Sequence, residues 1–198
     1  RKIMNMEAYG HKSYSADTAP ESFETFWGQP VTTEEMIKGM KASGFDSLRV
    51  PVAWTNAMEY EKGDYTINEA YLDRVEEIIN YALDNDMYVI INDHWDGSWW
   101  GMFGSSEQSD VDKAFEMYKS MWTQIANRYK KYSDRLIFEG ANKELGDRLN
   151  DTDVCKNSGS LSKAECYEMA NKINQTFVDT VRATGGNNEQ RFLLIAGY

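Results

Sequence analysis

Leu136-Ile-Phe-Glu-Gly-Ala-Asn-Lys-Glu-Leu145 decides how this chain is read. Leu136, Ile137 and Phe138 form a short apolar run of strand-forming character. It passes straight into Glu139, Gly140, Asn142 and a polar turn. A buried strand that empties into an amide and charged groups is how an α/β barrel presents chemistry at the carboxyl ends of its strands.

The same pattern recurs on either side. Met87-Tyr-Val-Ile-Ile-Asn92 is continuously apolar before its last residue, which predicts a strand buried on both faces. It runs into Asp93-His-Trp-Asp-Gly-Ser-Trp-Trp100. Further upstream, Ser47-Leu-Arg-Val-Pro-Val52 reads as a strand carrying Arg49, a buried cation that is costly unless it is paired. Lys2 to Met6 reads as a short first strand, and Arg191 to Ala196 as a fifth.

Helical spacing fills the intervals. Thr32 and Glu35 form a capping box for a helix Glu34 to Ala42, which Gly44 stops. Leu72, Val75, Ile78, Ile79 and Leu83 mark one face of a helix from Glu69 to Asp84. Two more helices are predicted, Val111 to Tyr129 and Lys163 to Thr184, the last ended by Gly185-Gly186. Regular strand–helix alternation implies parallel strands joined by right-handed crossovers. The expected fold is α/β, the N-terminal portion (about strands one to five) of a (β/α)8 TIM barrel, with residues 1–198 as one apparently incomplete domain. A complete barrel takes about 250 residues. The other architecture compatible with this order is an open five-stranded α/β sheet, although no glycine-rich phosphate loop accompanies it. An open arc would leave strands one and five as edges, ready for self-association or for a complementing C-terminal half.

Composition narrows the partners. With 198 residues, a net charge of −11 and no apolar run near the roughly 20 residues of a membrane helix, neither nucleic acid nor membrane is an expected partner. An acidic chain suits a secreted enzyme acting on a neutral polymer, and any export leader would have been removed ahead of Arg1. Six Trp, 12 Tyr and 8 Phe supply many flat faces of the kind that sugar rings pack on. Most belong to the core. Trp95, Trp99 and Trp100 stand apart because their loop is polar and contains glycine. Cys155 and Cys166 either close a loop disulfide worth about 3 kcal/mol on chain-entropy grounds, or stay free thiols.

Arg49, His94 and Asn142, the last with Lys143 and Glu144, fall at or just beyond the carboxyl ends of successive predicted strands, where barrel sites converge. His94 lies between Asp93 and Trp95 and close to Asp96, which favours a hydrogen-bonding role. No second His or Cys stands at ligand spacing, so neither metal nor cofactor is expected.

Four ordered motifs carry a resemblance to a known family. Thr25-Phe-Trp-Gly-Gln-Pro30, Gly44 to Val52, Tyr88 to Trp100 and Phe138-Glu-Gly-Ala-Asn142 resemble glycoside hydrolase family 5, and most of all its endo-β-1,4-glucanases and xyloglucanases. The resemblance extends over essentially the whole chain. It implies retaining hydrolysis of β-1,4-glucan. Arg49 would support the nucleophile, His94 would line the sugar subsite at the cleavage point, and Asn142 would contact the sugar 2-hydroxyl. Asn5 would match the strand-one asparagine, and Trp95, Trp99 and Trp100 the glycone side of the cleft.

One departure bears on the chemistry. The family places its general acid/base glutamate directly after that asparagine, and here the residue is Lys143. Its nucleophile belongs to strand seven, beyond the five strands read here. Retaining hydrolysis needs two carboxyl groups about 5–5.5 Å apart. The chain as written is therefore expected to be inactive. The alternatives are a non-catalytic β-glucan-binding protein and an α/β domain without sugar activity.

Overall fold

The second to fifth predicted strands form one parallel sheet in sequence order. The structure, a computed structural model, describes residues 17–94, 96, 99–142 and 145–197. The predicted first strand with Asn5 lies outside those residues, as do Trp95, Lys143 and Glu144. In chain order the elements are α1 (Pro20–Glu24), α2 (Glu34–Ala42), β1 (Ser47–Val50), α3 (Glu69–Asp84) and β2 (Tyr88–Asn92). They continue with α4 (Gln108–Tyr129), β3 (Leu136–Glu139), α5 (Leu145–Arg148), α6 (Lys163–Ala183) and β4 (Leu193–Leu194).

Strand alternation sorts the sheet into two faces. Leu48, Val50, Val89, Ile91, Leu136 and Phe138 are wholly buried on one of them. They share a core with Ile37 of α2, Ile78 of α3, Trp122 of α4 and Phe177 of α6. Burying side chains of this size contributes about 1.5–3 kcal/mol each. The other face carries Arg49, Ile90, Ile137 and Glu139, all only half-buried. The expectation of burial on both faces of β2 is thus met on the helix side alone. Ile90 faces what would be a barrel interior, and the described strands form only an arc of that barrel.

Two local expectations need correction. Thr33, not Thr32, caps α2: its hydroxyl accepts from the Met36 N–H at 3.3 Å. The Thr32 N–H is instead spent on the buried Glu24 carboxylate at 2.5 Å. Arg74 holds that carboxylate in turn, at 2.8 and 3.0 Å. A full capping box does form at α6, where Ser162 and Glu165 satisfy each other's backbone N–H. The fifth predicted strand shrinks to Leu193–Leu194 because its flanks are bonded elsewhere. On one side the Arg191 carbonyl accepts from Arg182 Nη1 at 2.8 Å, and on the other the Asn174 amide takes both backbone groups of Ala196 at 2.7 and 3.2 Å.

The two cysteines are free thiols. Cys155 faces the Asp110 carboxylate at 3.3 Å, and Cys166 accepts from the Asn150 amide at 3.7 Å. Two glycines serve the fold directly. Gly44 follows α2 with φ +89°, a conformation that side chains disfavour. Gly140 lets the Phe177 ring close over the end of β3, since a Cβ there would stand 2.7 Å from the ring.

Candidate active site

Parallel register brings the predicted polar residues to one end of the sheet. Arg49 pairs with Ile90, Ile90 with Ile137, and Asn92 with Glu139. Glu139 is therefore two residues further along the same face as Arg49, within reach of a long side chain. The guanidinium donates from Nε to Glu139 Oε2 at 2.8 Å and from Nη2 to Oε1 at 2.6 Å. This is a bidentate pair, the geometry in which Arg is strongest. Nη2 also donates to Asn142 Oδ1 at 2.8 Å. Asn142 is fixed from a third side, because its backbone N–H donates to the Asp93 carbonyl at 3.0 Å.

Glu139 was not legible as a site residue on its own. Its signal was the need of Arg49 for a counter-ion, together with a charged residue at the end of an otherwise apolar strand. With Arg49 occupying both its oxygens, Glu139 serves to hold the guanidinium in place. Arg49 in turn orients Asn142. Arg has only donors, so Oδ1 must face it and the NH2 end of the amide is turned to the other side.

His94 is buried just past β2. Its backbone N–H donates to the Val52 carbonyl at 2.9 Å, and its ring Nδ1 lies 3.0 Å from Asn92 Nδ2. Two residues on, Asp96 is fully buried and accepts from the Thr55 N–H at 3.0 and 3.1 Å and from the Thr55 hydroxyl. Burial pushes the Asp96 carboxyl above the ordinary range, while contacts with Asp93 and Thr55 oppose the shift.

Trp99 and Trp100 occupy a different place from the one predicted. Both are buried and stack on each other, with ring centroids 4.4 Å apart. Trp99 also packs on Phe103 and on Tyr118 of α4, at 5.3 and 6.1 Å. Their open faces are consumed by the core, so they buttress the site instead of forming a sugar platform. Tyr118 carries that support across to β3 by donating its hydroxyl to the Gly140 carbonyl at 2.9 Å. Hydrogen bonds bring Arg49, Glu139 and Asn142 together, and His94 follows directly on Asp93, whose carbonyl holds Asn142; the predicted contributions of Asn5, Trp95 and Lys143 fall outside the described residues.

The family model described as Cellulase (glycosyl hydrolase family 5) matches residues 11–198. This chain belongs to glycosyl hydrolase family 5. Among the relatives of this family-5 chain, Endoglucanase A of Ruminococcus albus is 40% identical over 207 residues, covering 100% of the chain and 54% of that protein. A xyloglucan-specific endo-beta-1,4-glucanase of Bacteroides ovatus is 40% identical over 175 residues, covering 88% of the chain and 32% of the relative. A solved broad-specificity endoglucanase of Ruminococcus champanellensis, with bound cellotriose, superposes with a TM-score of 0.79 at 36% identity. That match covers 97% of this chain and 52% of the endoglucanase. The chain thus spans about half or less of the length of these relatives, and the part-barrel reading of the fold agrees with theirs.

Proposed function

We propose that this family-5 chain forms part of an endo-β-1,4-glucanase of the cellulase and xyloglucanase type, taking up β-1,4-glucan across the carboxyl ends of β1 to β3. The reading places it outside the cell, where such polymers are met. One observation carries it: Arg49 is clamped by Glu139 and aims the Asn142 amide, at 2.6–2.8 Å throughout. A half-buried guanidinium–carboxylate pair used to orient an amide fits recognition of a sugar hydroxyl better than it fits packing, for which apolar residues serve as well or better.

Lys143 limits the chemistry available to a bound glucan. A lysine side chain has an ordinary pKa of about 10.4 and stays an ammonium near neutrality, so it cannot act as general base in the second half of a retaining reaction. Losing general acid–base catalysis costs about 10²–10⁴ in rate. The chain as written is accordingly proposed to bind glucan without efficient hydrolysis. The second reading, a dedicated glucan-binding protein, is favoured by Lys143 itself.

The test pairs binding with turnover on barley β-glucan and xyloglucan. The chain as given is compared with Lys143→Glu supplemented by a segment that supplies the strand-seven carboxylate of its relatives. Reducing-sugar release from the supplemented Lys143→Glu form alone supports the glucanase reading. Binding with no release from any form supports the binding protein, and neither binding nor release overturns both.

A further inference from the structure

Asn92 closes β2 and is fully buried, with its carbonyl and both branches of its side-chain amide engaged. Its backbone carbonyl accepts from Trp54 Nε1–H at 2.8 Å. Its side-chain Oδ1 accepts from the Val52 N–H at 3.2 Å. The remaining branch, Nδ2, lies 3.0 Å from His94 Nδ1. The Val52 N–H has one role only, that of donor, so it decides which branch of the amide is oxygen. A flipped amide would set NH2 against N–H and carbonyl oxygen against the ring nitrogen.

We infer that Asn92 is a positioning residue that locks His94 as the neutral tautomer protonated at Nε2. The amide N–H must donate, so Nδ1 must accept, and the single ring proton is confined to Nε2. The rest of the cluster supports the same arrangement. Val52, whose N–H fixes the Asn92 oxygen, also accepts the His94 backbone N–H at its carbonyl at 2.9 Å, which ties the histidine's backbone to the same residue as the amide. A protonated Nδ1 would set donor against donor at 3.0 Å in a buried place, leaving both without an acceptor there. His94 thereby presents Nε2–H as its donor, suited to a hydroxyl. That last consequence rests on the glucan reading above; the tautomer does not.

The test is a long-range 1H–15N spectrum of the imidazole nitrogens at mildly alkaline pH. The sequence holds only two histidines, so His11→Gln assigns the His94 signals. The expected pattern for His94 is an unprotonated Nδ1 and a protonated Nε2. A protonated Nδ1, or an averaged pair of nitrogens, would overturn the inference with no variant needed. Asn92→Asp, which keeps an acceptor for the Val52 N–H, replaces the amide donor by a carboxylate. It is expected to draw the proton to Nδ1. An unchanged nitrogen pattern in a folded Asn92→Asp protein would also overturn the role of Asn92. Since the spectrum reads neither binding nor turnover, a failure to bind glucan leaves the tautomer assignment intact.

Discussion

Arg49 Nη2 donates to Asn142 Oδ1 at 2.8 Å, joining residues 93 positions apart in sequence and two strands apart in the sheet. The bond is available only because the same guanidinium is held by Glu139 through two further hydrogen bonds. Ion pair and amide form one unit: the carboxylate positions the cation, and the cation sets which end of the amide is turned away from it.

That coupling is measurable. A double-mutant cycle with Arg49→Lys and Glu139→Gln is expected to give an interaction energy of about 1–2 kcal/mol by denaturant unfolding, in the range for residues sharing a network. Both side chains keep some solvent contact, 29% and 14%, which holds the value below that of a fully buried pair. Arg49→Lys is also expected to weaken glucan binding more than Glu139→Gln does, because the ammonium lacks the planar fork that reaches both partners. Additive effects on stability would show that the two residues act separately.

The buried tryptophan pair predicts a different profile. Trp99→Ala removes a wholly buried ring that contacts Trp100, Phe103 and Tyr118, and is expected to cost about 3–5 kcal/mol of stability. Trp99→Phe retains much of the packing and is expected to lower the melting temperature less, with glucan affinity unchanged once the protein is folded. A Trp99→Phe protein of full stability that has lost glucan affinity would restore the ring to the sugar-facing role that its polar loop suggests.

The contrast between these sites explains what the sequence made legible. Strand ends could be read because apolar runs stop abruptly at Asn92 and Glu139, and the helices because their apolar spacing is regular. Arg49 announced a partner by its burial cost, but the identity of that partner depends on register: Glu139 is in reach only because Arg49 aligns with Ile137 through Ile90. Trp99 and Trp100 misled for the converse reason. A polar loop suggested exposed rings, whereas Phe103 a turn further on and Tyr118 from α4 cover them. Likewise, no local signal says that Asn174 will take the backbone of Ala196 and cut β4 short.

Gly140 offers a test of packing at the end of β3. A methyl group at this position would meet Phe177 at 2.7 Å, and the ring is itself wedged against Trp122, with centroids 4.6 Å apart. Gly140→Ala is expected to destabilise the protein by about 1–3 kcal/mol, the usual cost of overpacking. Adding Phe177→Leu, which removes ring atoms from the contact, should make the alanine less harmful than it is alone. If Gly140→Ala costs the same in both backgrounds, the close approach to Phe177 is not what requires glycine.

Asp96 predicts a pH dependence of defined sign. Burial raises its folded-state pKa above the ordinary aspartate value of 3.8. In the window between that value and the raised one, the folded state holds a proton that the unfolded state has released. Stability from this group is therefore fully present below about 3.8 and is lost as pH rises through the folded pKa. Asp96→Asn keeps an acceptor for the Thr55 N–H and cannot titrate. The melting temperature of the parent minus that of Asp96→Asn should thus fall as pH rises from the acid end of the window, then level off once Asp96 is ionised in both states. A difference that grows with pH would mean that Asp96 is stabilised as a carboxylate, with the Thr55 hydrogen bonds outweighing its burial.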